Sequence, residues 1–288
     1  MEAFLHQVLS GVASGIIYAS LALALVMIYQ STSHVNFAQG EMAMFSTYVA
    51  WALIGAGWSY WAAFPVTLLF SFALGFLIER IVLRPLSHAP VISIVLIFIG
   101  LFVIFNSVAG WLFGYEMQTF PSPFPDRWGS QYASAHELGL AVVTVAILAA
   151  VFAFFRFTSL GLAMRGAAQN PDSSRLVGVP VDRLIALGWG LAGVIGAVGG
   201  MMAAPIVFLD PNMMAGILLY GFAAALLGGI SNPAGAVPGG IIVGILENLA
   251  GAYIVGTELK LTLALVMIVA ILLLKPAGLF GRALTTRV

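Results

Sequence analysis

Residues 8–30 read VLSGVASGIIYASLALALVMIYQ, a run that contains no charged side chain. A helix needs about 20 apolar residues to cross the hydrocarbon core of a bilayer, so this run predicts a membrane-spanning helix. The segment before it, residues 1–5, lacks the positive charges that open a cleavable signal peptide. We therefore expect residues 8–30 to remain in the protein as its first span.

The composition of the whole chain indicates the same environment. Of its 288 residues, 61% are hydrophobic and only 8% are charged, whereas about 25% of the residues of an ordinary soluble domain are charged. So few charges cannot cover the surface of a soluble domain of this size. We predict an all-α, polytopic membrane protein whose residues 1–288 form a single transmembrane domain.

Apolar runs and the Gly, Pro and Ser residues that interrupt them predict nine transmembrane helices. These helices are expected at residues 8–30, 40–56, 61–83, 90–113, 137–156, 184–209, 215–230, 237–254 and 259–275. The run at 215–230 is short and flanked by glycines, so a half-helix that enters the membrane and returns is the alternative there.

The basic residues predict the orientation, because Lys and Arg accumulate on the cytoplasmic side of bacterial membrane proteins. With the C-terminus inside, nine of the eleven Lys and Arg residues are cytoplasmic. The nine are Arg80, Arg84, Arg156, Arg165, Arg175, Arg183, Lys275, Arg282 and Arg287, and the two outside are Arg127 and Lys260. The loop at 157–183 is then cytoplasmic, and the loop at 114–135 is periplasmic.

Several functional classes are disfavoured by what the sequence lacks. It has no cysteine for disulfides or thiol chemistry, and its histidines (6, 34, 88 and 136) have no spacing suited to a metal. It contains no phosphate-binding G-x-x-x-x-G-K-[ST] loop, no H-E-x-x-H and no nucleophile motif. A net charge of zero argues against a nucleic-acid partner. We expect a protein that is not an enzyme and holds no cofactor or metal.

The loop at residues 158–179, TSLGLAMRGAAQNPDSSRLVGV, is several times longer than the usual two to eight residues between bundle helices. Leu160, Met164 and Ala168 recur at helical spacing beside Arg165 and form an apolar stripe. Such a helix suits the groove of another protein. It equally suits the membrane surface, where arginines hold it on acidic lipid. The residues alone leave both interpretations open.

The same loop resembles the pattern G-x-x-x-R-A-x-x-x-N-x-x-x-A-x-x-x-G-[IV] of branched-chain amino-acid ABC permeases. Gly161, Arg165, Asn170 and Gly178 match it, with Asn170 one place late. Gly166 and Ser174 stand where alanine is usual. In that family the segment is the coupling helix that contacts the ATPase subunit, and the resemblance implies this role for the matching residues here.

Four other stretches resemble the same family in the same order. Residues 35–41 (VNFAQGE) resemble N-F-A-H-G-E, and residues 79–86 (ERIVLRPL) resemble E-R-x-x-x-R-P-L. Residues 222–247 resemble its glycine-rich F-x-A-A-x-L-G-G stretch, which ends in G-x-x-E, and residues 275–281 (KPAGLFG) resemble R-P-x-G-L-F-G. The family often has lysine just before F-x-A-A, where this chain has Tyr220 and Gly221.

The resemblance implies a permease subunit of an ATP-driven ABC importer for branched-chain or other hydrophobic amino acids. It implies multi-pass insertion in the bacterial inner membrane. The expected partners are a second homologous permease, two cytoplasmic ATPase subunits that bind ATP and Mg²⁺, and a periplasmic substrate-binding protein. Related permeases carry urea or short amides, and an ion-coupled secondary transporter is the alternative from a different class.

Polar residues in or beside the predicted spans are candidates for the translocation pathway, because burying them in a membrane is costly. Those candidates are Asn36, Gln39, Glu41 and Glu247, and Phe37, which lies in the same N-F-A-H-G-E-like stretch, is included with them although it is apolar. For Glu41 the alternative is an interfacial position, and for Glu247 it is a buried pair with a neighbouring residue.

Overall fold

The computed structural model describes residues 2–86, 89–125 and 134–281. That part of the chain folds into eleven α-helices. Their bounds are α1 Glu2–Thr32, α2 Gln39–Gly55, α3 Tyr60–Leu77, α4 Val91–Phe113, α5 Ala135–Phe157, α6 Ser159–Gln169, α7 Pro171–Leu176, α8 Val181–Val207, α9 Met213–Gly228, α10 Pro233–Tyr253 and α11 Lys260–Leu274. α3 continues directly into a π-helical turn, Ile78–Leu83. Within the described residues, β pairing is limited to an antiparallel bridge between Gln118 and Leu209.

The predicted all-α membrane architecture is confirmed. Each of the nine predicted spans coincides with a helix, and the predicted loop at 157–183 holds the two additional helices, α6 and α7. Six described helices, α1, α3, α4, α5, α8 and α10, are long and apolar enough to cross a membrane. α9 and α11 are apolar but shorter. The count of nine spans, including whether α9 crosses the membrane, therefore stays a prediction.

α1 forms the centre of the bundle and is buried along most of its length. It packs against α8, α9 and α10, and its contact with α10 is the most extensive of the fold. Small residues recur every fourth position on the touching faces: Gly11, Gly15 and Ala19 on α1, and Gly240 and Gly244 on α10. A Cβ atom built on Gly244 would overlap the backbone of Gly11 and Gly15. Small residues thus allow these two helix backbones to touch.

α4 and α5 lie at the periphery and turn large apolar side chains outward. Ile92, Leu96 and Ile104 on α4, and Val142 and Phe152 on α5, are exposed. A soluble protein rarely exposes apolar surface on this scale, so this surface faces lipid or another membrane subunit.

α6 and α7 lie at one end of the bundle, which we call the α6–α7 end. Arg84, after α3, and Asp182, in the first turn of α8, meet there. All described Lys and Arg residues except Lys260 lie on elements that reach this end. Three of the basic residues that predict the orientation lie outside the described residues: Arg127, Arg282 and Arg287. His88 also lies outside them.

Candidate functional site

The loop that matched the coupling pattern is a helical hairpin, and three of its pattern residues have local structural roles. Thr158 caps α6 by accepting a hydrogen bond from Gly161 N. A side chain at Gly161 would overlap the backbone of Phe154 and Phe155 at the end of α5. Asn170 ends α6 and caps α7, because its Oδ1 atom accepts a hydrogen bond from Ser173 N at 2.9 Å. Gly178 has a φ of +82°, a conformation that favours glycine after α7.

The buried face of α6 differs from the predicted stripe. Met164 and Ala167 are buried against Val181 and Leu184 at the start of α8, whereas Leu160 and Ala168 are exposed. The predicted stripe of Leu160, Met164 and Ala168 is therefore divided, because Met164 packs within the chain whereas Leu160 and Ala168 remain exposed. Met164 already has a partner within the chain, and it holds the hairpin on α8.

Arg165 lies on the exposed face of α6. It lines a cleft of about 1280 Å³ that extends between α1, α5, α6 and the turn before α10. Arg156 lines the same cleft, and no ion pair joins either arginine to an acid in the described ranges.

Asp182 ties the hairpin to the bundle, and the sequence reasoning missed it. Its Oδ1 accepts from Arg175 Nη2 at 3.1 Å, and its Oδ2 accepts from Arg84 Nη2 at 2.8 Å. Arg175 also pairs with Asp172 within α7 at 3.2 Å. One carboxylate thus links α7, the turn after α3 and the start of α8. The sequence feature that could have identified Asp182 is its position just after the hairpin, in the first turn of α8.

Asn36 and Gln39 are fully buried where α2 begins. Asn36 Oδ1 accepts from Ala38 N at 3.0 Å, and its Nδ2 donates to Gln39 Oε1 at 3.3 Å. Gln39 Nε2 donates to the backbone oxygen of Ala192 at 3.0 Å. Because Ala192 lies about three turns into α8, α2 begins inside the bundle rather than at its end. The two polar side chains satisfy backbone groups of Ala38 and Ala192 there.

Phe37 is the least buried residue of this segment. Its ring centroid lies 5.5 Å from that of Phe222 on α9, and the residue is 39% exposed. With Val95, Ile99 and Phe102 of α4 and Leu218 of α9, Phe37 lines an apolar cavity of about 250 Å³. This open apolar cavity lies where the loop before α2 meets α4 and α9.

Glu41, in the first turn of α2, is buried inside the bundle. Asn106 Nδ2 on α4 lies 3.5 Å from Glu41 Oε2, 2.8 Å from the backbone oxygen of Pro211 and 3.1 Å from Asn212 Oδ1. Asn212 N donates to Asp210 Oδ1 at 2.6 Å. Three oxygens thus converge on one amide nitrogen, with a second carboxylate beside them. Asn106, Asp210 and Asn212 had not been identified from the sequence.

Glu247 lies in a separate cluster between α1, α10 and α11. Its Oε1 atom is 2.8 Å from Lys260 Nζ, and its Oε2 accepts from Tyr18 Oη at 2.9 Å. The Tyr18 ring stacks on that of Tyr220, with the centroids 4.8 Å apart. Glu247 therefore has the buried pairing that was its alternative interpretation. It makes no contact with the group formed by Asn36, Phe37, Gln39 and Glu41.

A metal is not suggested by the geometry. No group of three or more His, Asp or Glu side chains is arranged to hold an ion among residues 2–86, 89–125 and 134–281.

Comparison with known proteins adds to this geometry. The sequence model of the family described as "Branched-chain amino acid transport system / permease component" matches residues 7–272. The chain is 30% identical to the high-affinity branched-chain amino acid transport system permease protein LivH of Escherichia coli, over 97% of this chain and 96% of LivH. It is 26% identical to the permease BraD of Pseudomonas aeruginosa, over 97% and 96% of the two chains. A probable LivH of Methanocaldococcus jannaschii is 28% identical over 92% and 90%.

Proposed function

Because this chain belongs to the family of branched-chain amino acid transport permeases, we propose that it carries branched-chain or other hydrophobic amino acids across the membrane. The chain is the permease subunit of an ABC importer, which makes it a transport subunit rather than an enzyme. The observation that carries the substrate proposal is the similarity to LivH, because it extends over nearly the full length of both chains. It favours amino acids over urea or short amides, and an importer over an ion-coupled carrier.

The α6–α7 hairpin is the proposed coupling segment. Met164 and Ala167 hold it on α8, and Asp182 ties it to α7 and to Arg84. Leu160, Leu162 and Arg165 remain exposed on α6. An ATPase subunit that docks on this face moves α8 and the end of α3 together with the hairpin. Gly161, Asn170 and Gly178 act by shaping the hairpin, and Arg165 acts by contact.

Alternating access requires further subunits. The proposed complex contains a second homologous permease, two cytoplasmic ATPase subunits that bind ATP and Mg²⁺, and a periplasmic binding protein that delivers the amino acid. The proposed location is the bacterial inner membrane, with the α6–α7 end in the cytoplasm. The basic residues at that end support this orientation.

The proposed pathway passes the start of α2 and the loop before it, which hold Asn36, Phe37, Gln39 and Glu41. Residues 33–38 before α2 are not helical, and unwound backbone and polar side chains inside a membrane protein can face a passing substrate. The pairing of Glu247 with Lys260 supports a role in holding α11 on α10, so Glu247 contributes to the pathway indirectly.

Uptake by the reconstituted importer tests the proposal. The permease is purified with its second permease and ATPase subunits, placed in liposomes, and supplied with the binding protein and radiolabelled leucine. We expect leucine uptake that needs internal ATP and the binding protein. Uptake of urea without uptake of leucine would contradict the substrate, and uptake driven by an ion gradient without ATP would contradict the mechanism.

A further inference from the structure

The cleft of about 1280 Å³ beside the hairpin reaches into the bundle. Its floor is α1, where the lining residues Leu23 and Met27 are themselves buried. Leu148 and Val151 of α5 line one side, and Val237 of α10 lines the other. All five side chains are apolar. This part of the cleft therefore suits an apolar occupant that lies between α5 and α10.

The apolar part has nearly the depth of one leaflet. Leu148 precedes Arg156 by eight residues along α5, which corresponds to about 12 Å of helix. Half of the hydrocarbon core of a bilayer is about 15 Å thick. In a membrane-spanning bundle, the apolar part of the cleft is therefore at the depth of the acyl chains, and Arg156 is at the depth of the headgroups of the same leaflet.

The end of the cleft nearest the hairpin is basic. Arg156 lies in the last turn of α5 and Arg165 on α6, and neither pairs with an acid in the described ranges. Gln169 adds an amide to the same end, and no Asp or Glu is among the described residues that line the cleft. Arginine binds phosphate oxygens through parallel N–H donors. This end therefore suits an anionic phosphate group.

Two other occupants fit the cleft less well. Residues 282–288 follow Pro276 and Ala277, which line the cleft. They contain two arginines and no acidic side chain, so their charge opposes the two arginines of the cleft. A water-soluble ATPase subunit reaches the exposed face of α6, but not a recess that continues about 12 Å into the bundle. A molecule with a phosphate head and apolar chains matches both parts of the cleft.

We infer that this cleft binds an anionic phospholipid from the leaflet at the α6–α7 end of the bundle. An acyl chain lies along Leu148 and Val151 on the α1 floor, and Arg156 binds the phosphate. Arg165 adds positive charge at the rim, where it is also open to the ATPase contact proposed for it. Basic pockets between transmembrane helices are a recurring means of binding lipid headgroups. The site does not depend on which substrate the permease carries.

Lipid retention by the assembled importer tests the site. The delipidated complex is titrated with palmitoyl-oleoyl phosphatidylglycerol or with phosphatidylcholine of the same chains, and native mass spectrometry counts the bound lipids. We expect half-saturation at a concentration at least fivefold lower for phosphatidylglycerol, and no displacement of it by millimolar inorganic phosphate. Arg156→Gln should lose one tightly held phosphatidylglycerol per copy of this chain. Arg80→Gln, exposed at the same end of the bundle, should keep it.

Filling the cleft provides a second, matched measurement. Val151→Trp places a large ring in the apolar part, whereas Val142→Trp places it on the exposed surface of the same helix. We expect V151W to lose the same phosphatidylglycerol that R156Q loses, and V142W to retain it.

The outcomes decide between the lipid and its alternatives. Equal retention of the two lipids, or equal behaviour of R156Q and R80Q, would overturn the anionic site, and equal behaviour of V151W and V142W would overturn its place in the cleft. Displacement by inorganic phosphate would identify a site for the free anion instead of a lipid. R156Q changes an exposed side chain, so its result stands even if V151W fails to assemble. Absence of leucine uptake would contradict the proposed function and leave the lipid measurement unaffected.

Discussion

Lys260 Nζ lies 2.8 Å from Glu247 Oε1, and it is the cation that neutralises the buried acid of α10. The lysine is the first residue of α11, and it also donates to Asn248 Oδ1 at 3.1 Å. Its aliphatic stem packs on Gly251. Tyr220 lies just before the F-x-A-A stretch, where the family often has lysine. Its ring stacks on Tyr18, and its hydroxyl has no hydrogen-bond partner among the described residues. The charge that balances Glu247 in this chain therefore comes from α11.

Replacing Lys260 should destabilise the protein because it leaves the Glu247 carboxylate buried without a cation. Breaking a fully buried pair costs about 3–5 kcal/mol, and an exposed one about 0–1 kcal/mol. Since Lys260 keeps 29% of its side chain exposed, we expect an intermediate effect. Lys260→Met should lower the free energy of unfolding by about 2 kcal/mol. The measurement is thermal unfolding in detergent. Lys275→Met is the control, and K260M combined with Glu247→Gln should lose less stability than the two single changes added together.

Gly244 should not tolerate even a methyl group. Its Cβ position overlaps the backbone of Gly11 and Gly15, so Gly244→Ala must separate α10 from α1. Overpacking of this kind costs about 1–3 kcal/mol. Gly100 on α4 is the matched control, because a Cβ atom there meets nothing within 4 Å, and alanine is the better helix former by about 1 kcal/mol. A lower unfolding temperature for Gly100→Ala than for Gly244→Ala would contradict the packing argument.

The helices were predictable and their contacts were not, for a physical reason. Apolar runs between Gly, Pro and Ser breakers identify α1 or α4 because the bilayer requires length and hydrophobicity of the segment alone. The pairing of Glu247 with Lys260 depends on how α11 packs, which one sequence does not reveal. The boundary between α6 and α7 was predictable at Asn170 and Pro171, since Asn favours the N-cap of a helix and Pro favours its first position. The burial of Met164 was not predictable from the loop sequence, because the residues that it packs against lie on α8.

Asp182 should matter more for transport than for stability. Its two arginine contacts are about half exposed, and each such pair contributes about 0.2–1 kcal/mol. We therefore expect Asp182→Asn to leave the unfolding temperature within a few degrees of the native value. If the hairpin couples to the ATPase, the same change should lower ATP-driven uptake severalfold, because α7 loses its tie to α8. Asp172→Asn is the control, since among the described residues Asp172 pairs only with Arg175 of the same helix. Equal uptake by Asp182→Asn and Asp172→Asn would contradict the proposed role of Asp182 in linking α7 to α8.

The orientation is testable at residues that the structure describes. Met117, after α4, and Ser173, on α7, are both exposed. We expect a membrane-impermeant maleimide to label Met117→Cys in intact cells and to label Ser173→Cys only after the membrane is permeabilised. The absence of native cysteines makes the signal specific. The reverse pattern would invert the proposed topology and place the hairpin away from the cytoplasmic ATPase subunits.

Arg165→Glu distinguishes a coupling helix from a lipid-anchored one. Arg165 lies on the exposed face of α6, and the buried face holds the hairpin on α8 through Met164 and Ala167. The charge reversal should therefore leave folding and membrane insertion intact. At a protein interface, losing a charge-assisted contact costs about 2–5 kcal/mol, which should release the ATPase subunits and abolish uptake. At an anionic lipid surface the arginine contributes only about 1 kcal/mol, so the effect would be mild.

The measurement for Arg165→Glu is co-purification of the ATPase subunits together with ATP-driven leucine uptake. Arg80→Glu is the matched control, because Arg80 is exposed at the same end of the bundle but lies outside the hairpin. An anionic lipid anchor would respond to both reversals alike, since the membrane surface attracts each arginine by charge alone. A docked ATPase responds to Arg165 only, because a protein interface depends on the position of each charge. Retention of the ATPase subunits with native uptake in Arg165→Glu would therefore leave α6 as an interfacial helix.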